Sequence, residues 1–157
     1  MTKEAFGELY LQLLPGLFRL AQSILRHRED AMDAVQQAIE KAWKASGRMR
    51  PGEEKAYITR IVINECRNIQ RYRMRVTPCT DFDFPGKKQE EPDRELYEAV
   101  ANVPEKYRLP LLLRYMEGYS EKEAAEALKI STGALKSRLF RARNQLRNMI
   151  IEEREKE

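Results

Sequence analysis

The sequence predicts an all-α protein, two small helical domains joined by a flexible linker, with a helix–turn–helix in the second domain. Three observations predict it. Apolar residues recur at i, i+3, i+4 and i+7 over long stretches, and no stretch alternates as a strand would. The segment VTPCTDFDFPGKKQEEPDRE, residues 76 to 95, carries three prolines and one glycine without a sustained helical period, and reads as a linker. Finally, EKEAAEALKISTGALKSRLF has the spacing of two helices around a tight turn. A chain of 157 residues suffices for two small cores. The expected organisation is a first domain over 1–76, a linker over 77–92 and a second domain over 93–157.

Before the linker, helices are expected near 4–14, 16–27, 30–46 and 53–75. Pro15 and Gly16 either break the first of these or only kink one longer helix. After the linker, helices are expected near 93–101, 105–117, 121–128 and 132–150. Pro104 suits a first helical turn, and Ser120 and Ser131 suit N-caps.

The chain is 42% hydrophobic and 34% charged, so it folds with a heavily ionised surface. No apolar run approaches the roughly 20 residues that span a bilayer. MTKEAFGELY has neither the basic start nor the apolar core of a secretory signal. The expectation is a cytosolic protein with no membrane insertion. Cys66 and Cys79 are the only cysteines and His27 the only histidine, too few for a four-ligand zinc site. Two reduced thiols, no metal and no cofactor are expected, and His27 reads as a surface residue. No nucleophile–base pairing suggests catalytic residues.

The net charge of +4 is unevenly spread. Residues 1–76 carry 14 bases and 9 acids, 77–96 carry 3 and 6, and 97–157 carry 12 and 10. Two basic lobes around an acidic segment suit a polyanionic partner bound with modest intrinsic affinity.

Helix 30–46 places Ala31, Ala34, Val35, Ala38, Ile39, Ala42 and Trp43 on one apolar stripe. Asp33, Gln36, Gln37 and Glu40 fall opposite, a face compatible both with plain solvation and with docking of a basic partner. In helix 53–75, Ile58, Ile61, Val62, Ile69 and Tyr72 mark the core side. Arg60, Asn64, Arg67, Asn68, Arg71 and Arg75 share one arc of roughly 100° with no acid among them. Guanidiniums grip phosphate oxygens in pairs and asparagine pairs with an adenine edge, so this arc reads as a nucleic-acid face. The loop KASGRMRPGEEKAY puts Arg48, Met49 and Arg50 at its tip. It suits either an unstacked base from a single strand or an ordinary interhelical turn.

In the helix–turn–helix, Ala124 and Ala125 permit close approach, and Ile130 and Leu135 fill the corner. The second helix is the expected reader, with Leu135, Leu139, Ala142 and Leu146 on its apolar stripe. Gly133, Ser137, Arg141 and Asn144 lie opposite, flanked by Lys136, Arg138 and Arg147. Phe140 projects away from the stripe, leaving it either to fold back on a neighbouring helix or to offer an apolar contact. Lys129 occupies a turn position where such units often carry glycine, an exchange that costs little if the backbone there is right-handed.

These stretches resemble a known family. REDAMDAVQQAIEKAW, RIVINECRNIQRYR and STGALKSRLFRARNQLR are similar, in this order and over about residues 4–150, to motifs of the extracytoplasmic-function (ECF, group-four) sigma factors of the sigma-70 family. The resemblance implies a non-enzymatic, dissociable subunit that directs RNA polymerase to promoters. It implies docking on the clamp helices of the largest polymerase subunit through Asp30, Asp33, Gln36 and Gln37, with the flap of the second subunit as a further contact. It implies −10 element recognition by Asn64, Asn68 and Arg71 with the 48–50 loop tip nearby; together with the arc on the same helix, the candidate −10 residues are Arg48, Met49, Arg60, Asn64, Arg67, Asn68, Arg71 and Arg75. For the −35 element it implies Thr132, Lys136, Ser137, Arg138 and Arg141, to which the outward face of the helix adds Gly133. Promoter DNA and an anti-sigma factor, often membrane-anchored, are the other implied partners. Ile39 stands where the family usually has Phe, and Asn68 where Asp is usual.

Three rival readings make different demands. A stand-alone helix–turn–helix regulator needs a dimer interface for two half-sites, and the first domain offers no heptad seam. An enzyme acting on nucleic acid needs a catalytic cluster. A structural adaptor would bind polymerase without reading promoters.

Overall fold

The computed structural model describes residues 2–76 and 94–156, which fall into two compact units. The expected 77–92 linker and Cys79 lie outside the described residues, as do the side chains at 76, 94, 95 and 97. Every regular element among the described residues is helical: α1 (Lys3–Leu25), α2 (Arg28–Lys44), a 3₁₀ turn (Ser46–Arg48), α3 (Glu54–Val76), α4 (Arg94–Asn102), α5 (Glu105–Leu111), a π-turn (Leu112–Met116), α6 (Glu121–Leu128) and α7 (Thr132–Glu155).

In the first unit α1 runs unbroken through Pro15, deciding the question that the sequence left open. Pro15 lacks the N–H that would bond the Leu11 carbonyl. Both residues are exposed, so water can satisfy that carbonyl and the helix continues. It starts on Thr2, whose hydroxyl accepts from the Ala5 N–H at 3.1 Å. It stops at Arg26, where a left-handed backbone (φ 54°) returns its N–H to the Gln22 carbonyl at 2.8 Å. His27 then caps α2, its Nδ1 accepting from the Asp30 N–H at 3.3 Å. The expected surface histidine is therefore a half-buried cap.

The core forms where Leu17, Leu20, Ala21 and Ile24 of α1 meet Ala31, Ala34, Val35, Ala38 and Ala42 of α2 and Ile58, Val62, Ile63 and Cys66 of α3. A nearly all-alanine face on α2 lets two larger helices approach it closely. Each buried Leu or Ile contributes about 1.5–3 kcal/mol. Polar links fix the register. Gln70 Nε2 donates to the Ile24 carbonyl at 3.1 Å, and Lys41 pairs with the buried Glu65.

Two expected core residues lie outside this core. Trp43 is 40% exposed, with the Phe6 ring edge-on at 5.2 Å and Lys3 Nζ 5.9 Å from its ring centre. Tyr72 is 61% exposed. Each sits near the C-terminal end of its helix.

The second unit has its own core of Val100, Val103, Leu109, Leu113, Tyr119, Ala124, Ala125, Leu135, Leu139 and Ala142. The helix expected over 105–117 is α-helical only to Leu111, then widens, with the Glu117 N–H bonding the Leu112 carbonyl at 2.9 Å. Ser120 and Ser131 cap as expected. Ser120 completes a capping box with Glu123, and Ser131 Oγ accepts from the Ala134 N–H at 3.0 Å.

The turn between α6 and α7 corrects one expectation. Lys129 is left-handed (φ 56°, ψ 45°), and the Ile130 N–H closes onto the Ala125 carbonyl at 3.0 Å, a Schellman arrangement that prefers glycine. A non-glycine residue there costs about 1 kcal/mol. Lys129→Gly is therefore expected to raise the second unit's stability by up to that amount, as an increase in Tm on thermal denaturation. An unchanged or lower Tm would mean that the turn carries no such strain.

Candidate nucleic-acid interfaces

On α3 the predicted arc is a continuous solvent-facing strip. Asn64, Arg67, Asn68, Arg71 and Arg75 are exposed and Arg60 is half-exposed, opposite the buried Ile58, Val62 and Cys66. At 1.5 Å per residue the strip is about 22 Å long. Arg71 Nη2 donates to Asn68 Oδ1 at 2.7 Å. Asn68 thus supplies the acceptor that an aspartate would, while leaving the strip without a negative charge. The loop before α3 carries exposed Arg48 and Arg50 around a half-buried, extended Met49. The left-handed Gly52 (φ 86°) turns the chain into α3, its N–H reaching both Glu54 carboxylate oxygens at 3.1 and 3.0 Å.

On α7, Leu135, Leu139 and Ala142 are buried, which turns Thr132, Gly133, Lys136, Ser137, Arg141 and Asn144 to solvent, with Arg138 half-exposed. At about 100° per residue, Gly133, Ser137, Phe140 and Asn144 form the outermost face. A cationic edge runs along each side of it: Lys136, Arg143 and Arg147 on one, Arg138 and Arg141 on the other. A helix with neutral residues between two cationic edges suits a major groove, bases ahead and a phosphate backbone on either flank. Phe140 is 60% exposed, so it does not fold back but stands in the middle of this face. Lys136 Nζ lies 3.6 Å from a Glu121 carboxylate oxygen. Arg141 Nη1 donates to the Tyr107 hydroxyl at 3.4 Å, and this bond, with the nearby cations Lys106 and Arg138, holds that phenol below its ordinary value near 10.

On α2, Asp33, Gln36 and Gln37 are exposed as expected. Asp30 is not. It is buried, receives Arg73 Nη2 at 2.7 Å and also pairs with Arg73 Nε, tying the start of α2 to α3. Sequence periodicity missed this because the partner is 43 residues away. Periodicity also missed the exposed Met32 beside Asp33 and Gln36, which gives that polar face an apolar margin shared with Trp43.

The two aspartates should therefore separate by substitution. Asp30→Ala removes the carboxylate beside a two-thirds-buried Arg73 and should cost about 1–3 kcal/mol of stability, read by urea denaturation. Asp33→Ala should stay within about 0.5 kcal/mol of the wild type. Equal effects would place both aspartates in the same environment.

Comparison with known proteins gives these faces a context. Residues 9–76 match the family profile described as Sigma-70 region 2, and residues 93–146 match Sigma-70, region 4. The ECF RNA polymerase sigma factor SigM of Mycobacterium tuberculosis is 30% identical over 151 residues, covering 93% of this chain and 77% of the relative. This chain is an ECF sigma factor of the sigma-70 family. The RNA polymerase sigma factor SigV of Bacillus subtilis is 29% identical to this sigma factor over 141 residues, 87% of this chain and 85% of the relative. Among solved structures, the sigma factor RpoE in complex with the anti-sigma factor NepR from Bartonella quintana superposes with a TM-score of 0.79 at 26% identity, covering 94% of this sigma factor and 97% of that chain. Both helical faces fall within the matched segments, α3 in region 2 and most of α7 in region 4. Among the described residues of this sigma factor, no helix is long and apolar enough to cross a membrane.

Proposed function

We propose that this ECF sigma factor directs core RNA polymerase to promoters by reading the −10 element with α3 and the preceding loop, and the −35 element with α7. The observation that carries this reading is the pair of exposed arginine-bearing helical faces, one in each unit, each backed by its own core. In the first unit, Asn64, Asn68 and Arg71 contact bases, Arg60, Arg67 and Arg75 hold phosphates, and Arg48 and Met49 receive an unstacked base. In the second, Gly133, Ser137 and Arg141 approach base edges. Thr132, Lys136 and Arg138 grip the backbone.

Asp33, Gln36 and Gln37 dock on the clamp helices of the largest polymerase subunit, with Met32 and Trp43 as their apolar margin. The second unit contacts the flap. Asp30 acts there only indirectly, by fixing the start of α2. Each unit alone binds DNA weakly, since its charge excess is small. Once polymerase fixes their separation, the two affinities combine through effective concentration. The similar sigma factor RpoE forms a complex with the anti-sigma factor NepR; by analogy an anti-sigma factor is a partner of this chain in an off state, and a membrane-anchored one would hold this cytoplasmic protein at the membrane.

The test is to sequence transcripts made in vitro by core polymerase with and without the protein on fragmented bacterial DNA. Added protein should produce a discrete new set of start sites that share two sequence elements. An unchanged start-site profile would leave an adaptor or a stand-alone regulator as the better reading.

A further inference from the structure

A tyrosine contacts an arginine on each edge of α7, Tyr107 as described above and Tyr115 on the other side. On one edge, Arg143 Nη1 donates to the Tyr115 hydroxyl at 2.6 Å. Tyr115 belongs to the π-turn, whose wider winding re-aims its side chains relative to an α-helix. The Arg114 guanidinium stacks 5.8 Å from the Tyr115 ring centre. Arg114 in turn donates through Nη1 to the carbonyl of the buried Tyr119 at 2.8 Å. A chain of contacts thus runs from the core through Arg114 and Tyr115 to Arg143. On the opposite edge, Arg141 leans on Tyr107.

We propose that Arg143 is a phosphate-gripping residue of the promoter interface and that Tyr115 is its positioning residue, as Tyr107 is for Arg141; this rests on the reading of α7 as the helix that enters the groove. The physical reason lies in what each partner does to a cation. A guanidinium offers five N–H donors in a rigid fork. A phenol takes one of them and leaves the rest, with the full positive charge, for a phosphate. An exposed arginine otherwise samples many rotamers, and part of that freedom is lost on each binding event. The neutral strut removes part of that cost in advance. Lys136 shows the contrast: its partner is the Glu121 carboxylate, which offsets the charge as well as orienting it. Arg143 also lies two helical turns from Lys136 and one from Arg147 on the same edge, so the three cations follow one line along α7.

The experiment uses holoenzyme assembled from the full chain and core polymerase, with a promoter duplex that it transcribes. Binding is measured from about 50 to 200 mM salt. Arg143→Ala should weaken binding about 5- to 50-fold and make the salt slope shallower by about one. Tyr115→Phe keeps the charge and should weaken binding about 3- to 10-fold with the slope unchanged, as expected when side-chain ordering that the hydroxyl supplies in advance must instead be met on binding. The double variant should bind like Arg143→Ala alone, because the hydroxyl acts only through that side chain. Wild-type binding by Tyr115→Phe, an unchanged slope in Arg143→Ala, or losses that multiply in the double variant would each overturn the inference. Arg141→Ala separates this from the underlying reading. If Arg141→Ala binds as the wild type does, α7 is not the reader. If it weakens binding while Arg143→Ala does not, only the role of Arg143 and Tyr115 falls.

Discussion

Alanine at both Arg71 and Arg141 should lower transcript yield from a promoter of this sigma factor by about 30- to 2 × 10⁴-fold while leaving the fold intact. A bidentate arginine contact to a base is worth about 1–3 kcal/mol. The two arginines lie in separate units and share no partner, so their losses should add in free energy and the fold-changes should multiply. Both side chains are exposed, and neither contributes to a core, so Tm should stay near the wild-type value. Each single variant should relax discrimination at its own element only, −10 for Arg71 and −35 for Arg141. Quantified run-off transcription on promoters mutated at each element checks this. Wild-type yields and start sites in the double variant would remove both helices from promoter reading at once. An effect at only one element would remove the other helix alone.

The second large effect acts through the core. Leu135 is fully buried beneath the exposed cationic face of α7, and Leu135→Ala should cost about 2–5 kcal/mol through lost burial and the cavity left behind. A unit of this size has only about 5 kcal/mol to lose, so the second unit should be largely unfolded near physiological temperature. The first unit has a separate core and should keep its own transition. Denaturation should then show one lost and one retained cooperative step, and −35-dependent transcription should fail while binding to core polymerase persists. Phe140→Ala is the matched control: at 60% exposure it should leave the second transition in place. Loss of both transitions in Leu135→Ala would mean that the two units do not fold independently.

Much of this molecule is legible in its sequence because helices advertise themselves locally. Alanine and leucine periodicity places α2, α3 and α7, and Ser120 and Ser131 mark helix starts through hydrogen bonds three residues long. The arginine arc on α3 is visible for the same reason, since angle around a helix follows from residue number alone. Distance along the axis is a different matter. Trp43 and Tyr72 fall on the expected apolar stripes, yet near the C-terminal ends of their helices they stay 40% and 61% exposed. Backbone handedness at Lys129 is invisible to hydropathy, because the side chain says little about φ. Contacts across long separations were hidden too. Asp30 meets Arg73 across 43 residues, and Arg141 and Arg143 meet tyrosines 34 and 28 residues away. These contacts decide which charges are structural and which stay available at the surface. Pairing of that kind becomes readable only once the helices are packed.

The dependence of promoter specificity on polymerase is best tested by footprinting one promoter and one scrambled duplex with the free protein and with the holoenzyme at equal salt. The free protein should protect both duplexes weakly and about equally. The holoenzyme should protect the promoter alone, over two patches that Arg71→Ala and Arg141→Ala erase separately. Equal promoter specificity with and without polymerase would contradict a mechanism in which two weak readers become selective only when a larger enzyme sets the distance between them.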